Sequence, residues 1–97
     1  MKTVLWTSRA RDDLRSIRDF IAEDSPQVAT VVVGRILSAT ERIAAFPESG
    51  RYVPEFESRN LREIILRPYR VVYRLVGSSQ VHILTIHHGA RLFPTSL

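Results

Sequence analysis

The chain contains no cysteine. That excludes a disulfide framework, a thiolate metal site and a cysteine nucleophile. Histidine is scarce: His82, His87 and His88 are the only three, so a structural zinc site has too few ligands. Neither a metal nor a cofactor is expected. Apolar runs extend for only a few residues, so no membrane span is expected. The N-terminus lacks the 7–15-residue apolar core of a secretory signal, and the expected location is the cytoplasm. At 97 residues there is room for one domain, residues 1–97, and none for a Rossmann or TIM architecture. Lysine is almost missing as well. Of 14 basic residues, 13 are arginine and one is Lys2.

The charge that is present is unevenly placed. Residues 1–48 carry seven basic and seven acidic groups, whereas residues 49–97 carry seven basic, three acidic and all three histidines. The whole net charge of +4 therefore belongs to the second half. Such a field favours an anionic partner, either nucleic acid or an acidic protein segment. Arginine in place of lysine favours planar, bidentate or stacking contacts, although a GC-rich genome produces the same bias. No helix-turn-helix, zinc-finger or RRM signature accompanies the basic half.

Hydrophobic periodicity divides the chain into six main elements. Residues 2–6 read as a short β-strand containing Trp6, a core candidate. Ser8 is the expected N-cap of a first helix. Ala10, Leu14, Ile17 and Ile21 form its apolar stripe, and it stops near Asp24. Ser25-Pro26 restarts a second helix with Ser at N-cap and Pro at N1. Its stripe is Ala29, Val33, Ile36, Thr40 and Ile43, and it ends at Phe46-Pro47. Residues 47–60 hold two prolines and a glycine, which argue against a regular element and mark a functional or mobile connection. Three strands follow over residues 61–67, 69–76 and 81–88. Strict alternation on the second places Arg70, Val72 and Arg74 opposite Tyr69, Val71 and Tyr73. On the third, the same rule groups His82, Leu84, Ile86 and His88 against Val81, Ile83, Thr85 and His87.

The order β-α-α-β-β-β indicates an α+β fold, with an αα-hairpin packed on one face of a small, curved, mostly antiparallel sheet. The other face then lacks a cover. An open surface of Arg, Tyr and His is where function is expected. The alternative for Arg70 and Arg74 is a cross-strand ion pair with Glu63. For Tyr69 and Tyr73 it is a place in the core, for His82 a structural role, and for Glu55 a solvated loop position. His87 and His88 point to opposite faces, so only one of them can reach the open side.

Five segments appear in order: Asp13-Leu14-Arg15-Ser16-Ile17, Phe46-Pro47-Glu48-Ser49-Gly50-Arg51, Arg62-Glu63-Ile64, Tyr69-Arg70-Val71-Val72-Tyr73-Arg74 and His88-Gly89-Ala90-Arg91. With this arrangement the chain resembles the RelE/ParE superfamily of bacterial toxins over nearly its whole length, and the ParE-like branch more than the RelE branch. The resemblance implies a toxin of a type II toxin–antitoxin module, neutralised by a cognate antitoxin whose DNA-binding end represses the operon. It implies one of two targets, DNA gyrase for a ParE-like member or messenger RNA on the ribosome for a RelE-like one. Target- or antitoxin-binding residues would come from Arg62, Tyr69, Arg70, Tyr73, Arg74, His88, Arg91 and Phe93.

A metal-free ribonuclease needs a base for the 2′-OH, cations for the phosphate and an acid for the leaving oxygen. The candidates are Glu55 as base, Arg70 with Arg62 or Arg91 as clamps, and His88 or His87 as acid. Ribonuclease members of the superfamily place a tyrosine near the last strand. Phe93 stands there in this chain and cannot donate a proton. The lysine cluster of other branches has no counterpart beside Lys2. The set is partial, which leans towards a toxin that is not an enzyme.

Overall fold

The computed structural model describes the backbone of residues 1–97 and the side chains of residues 1–56 and 60–97. Strand β1 (Thr3–Trp6) leads into helix α1 (Ser8–Ala22) and helix α2 (Pro26–Ala45). A two-residue strand β2 (Arg51–Tyr52) and a 3-10 segment (Pro54–Arg59) follow. Strands β3 (Leu61–Leu66), β4 (Tyr69–Val76) and β5 (Gln80–His88) complete the chain's regular structure. The sheet order is β1-β5-β4-β3-β2. Only the β1–β5 pairing is parallel; the other three are antiparallel.

Local chemistry explains the helix ends. Ser25 caps α2 as the sequence predicts, its Oγ accepting the Val28 N–H at 3.2 Å with Pro26 behind it. The cap of α1 is Thr7, not Ser8. Thr7 Oγ1 accepts the Ala10 N–H at 3.1 Å and lies 3.0 Å from the Ile83 carbonyl, to which it donates. The neighbouring strand β5 thus selects between two adequate capping residues. The apolar stripes meet the sheet as expected. Ala10, Ile36 and Ile43 are buried against Val71, Tyr73, Val81, Ile83 and Ile86, with Leu14 and Ile17 packed beside them.

Two further expectations fail, both at tertiary contacts. First, β5 carries a bulge. Val72 pairs with Thr85 and Tyr73 with Ile83, so Leu84 is the extra residue. A bulge shifts every later side chain to the other face. Ile86 therefore joins Val81 and Ile83 in the helix-side core, while Leu84 packs on the opposite face. Past the end of β1, the Asp13 carboxylate accepts the Thr85 hydroxyl and the Ile86 N–H, the latter at 3.0 Å.

Second, the sheet's other face is not open. Val53, Leu61, Val72 and Leu84 form a second small core there, covered by Phe56, Phe93 and Leu97. The connection expected to lack regular structure holds β2 and the 3-10 segment, and supplies Val53 and Phe56 to this second core and its cover. The chain's own loop and tail thus seal much of the surface that alternation alone leaves bare.

Candidate functional site

Beside that second core lies a group of charged side chains. Arg70 projects from β4 and Glu63 from β3; their strands are adjacent and antiparallel. Glu63 has a side chain 0% exposed and serves two cations, with Oε1 at 2.6 Å from Arg70 Nε and Oε2 at 2.6 Å from Arg51 Nε. Arg70 turns its remaining fork to Glu55 in the 3-10 segment, with Nη2 to Oε1 at 2.8 Å and Nη1 to Oε2 at 3.0 Å. The Phe93 ring covers the Arg70 guanidinium at 4.1 Å. His87 abuts Phe93 edge-on at 4.9 Å between centroids, and its Nε2–H donates to the Arg91 carbonyl at 3.0 Å. The cross-strand ion pair open to Arg70 in the sequence is present. Arg74 forms no such pair among the described residues.

The titration behaviour follows from these contacts. The hydrogen bonds from Arg70 hold the Glu55 carboxyl below its ordinary value. The same hydrogen bonds, with those to Glu63, raise the Arg70 guanidinium further. Burial pushes the His87 imidazole down, which favours its neutral form. A general base works best with a pKa near the working pH. Glu55 is displaced away from that range.

The other sequence candidates lie elsewhere. Arg62 braces the 48–50 turn, donating to the carbonyls of Glu48 at 3.2 Å and Gly50 at 2.8 Å and stacking on Tyr52. Tyr73 is fully buried. Its hydroxyl donates to the Pro47 carbonyl at 2.7 Å and accepts the Gly50 N–H at 3.0 Å. Of the sequence-based binding set, Tyr73 therefore has no surface to offer. His88 pairs with Tyr69 across β4–β5, their rings edge to face at 5.4 Å. The bulge brings His88 to the helix side, where alternation along β4 already places Tyr69. Arg91 is exposed. Glu55, Arg70 and His87 share one side of the sheet; Arg62 and His88 do not join them. Glu63 and Arg51 complete the charge group, and only the Glu63 pairing was signalled by the sequence.

The family model of the "ParE toxin of type II toxin-antitoxin system, parDE" matches residues 4–93. The chain belongs to the ParE toxin family. A Caulobacter vibrioides protein named Toxin RelE2 is 39% identical over 92 residues, spanning 95% of this chain and 100% of that one. Another from the same bacterium, Toxin ParE3, is 36% identical over 90 residues, spanning 92% of this chain and 88% of that one. Among solved structures, one titled "Chromosomal ParDE TA system from P. aeruginosa" superposes with a TM-score of 0.71 at 26% identity, covering 91% of this chain and 96% of that one. The helix hairpin on a five-stranded mixed sheet is thus shared with a ParE-type neighbour. This ParE-family chain is a toxin of the type II class, and relatives of similar identity carry both the RelE and the ParE name. No helix among its described residues is long and apolar enough to cross a membrane.

Proposed function

We propose that this toxin works in the cytoplasm by binding DNA gyrase stoichiometrically, and that a cognate antitoxin holds it inactive. The observation that carries the reading is the state of Arg70. A phosphate clamp needs a cation with donors to spare, and Arg70 spends its Nε on Glu63 and its fork on Glu55. The would-be base is itself neutralised, and the His87 Nε2–H is committed to a backbone carbonyl. A binding mode needs none of these groups to be free. Gyrase as the target follows the ParE-like resemblance and the family match, and the antitoxin follows the toxin–antitoxin title of the structural neighbour. The net charge of +4 suits an acidic, amphipathic antitoxin segment that folds on binding.

The second reading is cleavage of messenger RNA on the ribosome. It is favoured by the common placement of Glu55, Arg70 and His87 and by the relative named Toxin RelE2. Purified toxin titrated against gyrase tests the first reading. Supercoiling of relaxed plasmid should cease near a one-to-one ratio of toxin to gyrase. Undiminished supercoiling at a large molar excess would contradict it.

A further inference from the structure

Two clefts meet at the end of the sheet where β3, β4 and β5 turn. One, of about 440 Å³, lies between α1 and the tail and includes Arg9, Tyr69, His88 and Arg91. The other, of about 490 Å³, lies at the β3–β4 turn and includes Arg67, Tyr69, Arg70 and His88. The edge-to-face pair of Tyr69 and His88 is the wall they share.

Among the described residues, the charges around this saddle that lack a partner are of one sign. Arg67 and Arg91 are both exposed, and neither guanidinium has a hydrogen-bond or ion-pair partner among the described residues. Among the described residues the one carboxylate lining either cleft is Asp13, which is occupied by Thr85 and the Ile86 N–H. Arg51 and Arg70 are already balanced by Glu63 and Glu55. His88 Nδ1 accepts the Ala90 N–H at 3.0 Å. That leaves its proton on Nε2, a donor without a partner among the described residues.

The backbone here is fixed while the cationic ends are free. Gly89 N–H donates to the Pro68 carbonyl at 2.8 Å, tying the two turns together. Arg91 uses its own N–H on the His88 carbonyl and its carbonyl on His87. Arg67 and Arg91 are therefore held within about 20 Å of each other at the backbone, by the reach of the intervening residues.

We propose that this saddle binds the phosphodiester backbone of a nucleic-acid strand. Unpaired guanidiniums match phosphate oxygens in a bidentate way. An aromatic pair between two basic clefts suits the bases of a single strand. The contact goes beyond the toxin's grip on a protein target and includes no cleavage, since the neutralised Glu55–Arg70 pair is not called upon.

The test uses purified toxin alone, so its outcome is independent of the gyrase reading. Fluorescence anisotropy would follow binding of a labelled 20-nucleotide oligothymidine and of a labelled 20-base-pair duplex from about 50 to 200 mM salt. Each phosphate contact on a single strand contributes about 0.7 to the slope of log K against log salt. Replacing Arg67→Ala and Arg91→Ala together should weaken binding at least about tenfold and reduce that slope by about 1.4. Arg35→Ala, exposed on α2 away from the saddle, should leave both unchanged. Tighter binding of the duplex supports the phosphate assignment and names the duplex as its source. The proposal is overturned by no binding at 50 mM salt, by an unchanged slope in the double variant, or by equal competition from polyglutamate of the same charge.

Discussion

Replacing Glu63 by glutamine should lower the unfolding free energy by about 3 kcal/mol, because breaking one side of a buried ion pair costs about 3–5 kcal/mol and glutamine keeps the volume and one acceptor. For a domain of this size that corresponds to a fall in Tm of roughly 12–24 °C. The cause is not the loss of attraction alone. Glu63 is fully buried and sits 2.6 Å from both Arg51 and Arg70. Arg51 can turn to water, its side chain being 60% exposed. Arg70 cannot follow, since its side chain is only 16% exposed and lies under Phe93. A pair removed whole behaves differently from a pair broken. Glu63→Leu combined with Arg70→Met should therefore unfold within about 1 kcal/mol of the original protein. Urea denaturation of the three proteins measures both values. A glutamine variant as stable as the parent would mean that the charge group does not hold the loop and sheet together.

The second large effect is expected at Gly50. Its backbone is clamped from two sides, by Tyr73 through the Gly50 N–H and by Arg62 through its carbonyl. A Cβ there would stand 2.6 Å from the Tyr73 hydroxyl and 2.8 Å from the Glu63 carbonyl. Neither neighbour is a flexible side-chain tip. Tyr73 is fully buried and the Glu63 carbonyl belongs to strand β3. Gly50→Ala should destabilise by about 3 kcal/mol, at the upper end of the range for overpacked sites. Gly34→Ala provides the contrast. It lies exposed inside α2 with nothing within 4 Å of the added carbon, so it should stabilise by roughly 0.5–1 kcal/mol through helix propensity. Thermal unfolding of both variants decides the matter, and equal Tm values would contradict the close approach at Gly50.

The clamp also gives physical content to a sequence motif. Phe46-Pro47-Glu48-Ser49-Gly50-Arg51 closes α2 and feeds β2 by a turn whose carbonyls satisfy Tyr73 and Arg62. Arg51 then reaches Glu63. Sequence pattern located the two helices and the four longer strands and sorted β4 into two faces without deciding which one meets the helices, because periodicity and turn residues are local signals. Gly77 shows how direct such signals can be: it takes φ +61° at the turn between β4 and β5. The misses share a different cause. Thr7 is chosen as cap by a carbonyl of β5, 76 residues away. The bulge at Leu84 lies where β5 passes beyond β1 and Asp13 of α1 takes over its edge. The cover over the second face joins residues 53–56 to Phe93 and Leu97. None of these is visible to an 8-residue pattern.

The site divided in the same way. The Arg70–Glu63 pairing was legible because antiparallel neighbours on alternating strands face each other. Glu55 was legible only as a candidate in a loop; its bidentate hold on Arg70 depends on the 3-10 segment folding back over the sheet. That contact changes the chemical meaning of both residues. Two carboxylates and one deeply placed guanidinium form a structural tie more readily than a base and a clamp.

The most direct test is therefore made on RNA. Toxin is expressed without its antitoxin, and translated messages are mapped by primer extension once growth has stopped. Arrested growth with no new message ends is the result expected of a toxin whose Arg70 is tied to Glu55 and Glu63. New ends within coding sequence that appear with the toxin and vanish in Glu55→Gln would show that the pair opens for catalysis, and would contradict the binding mode proposed for it.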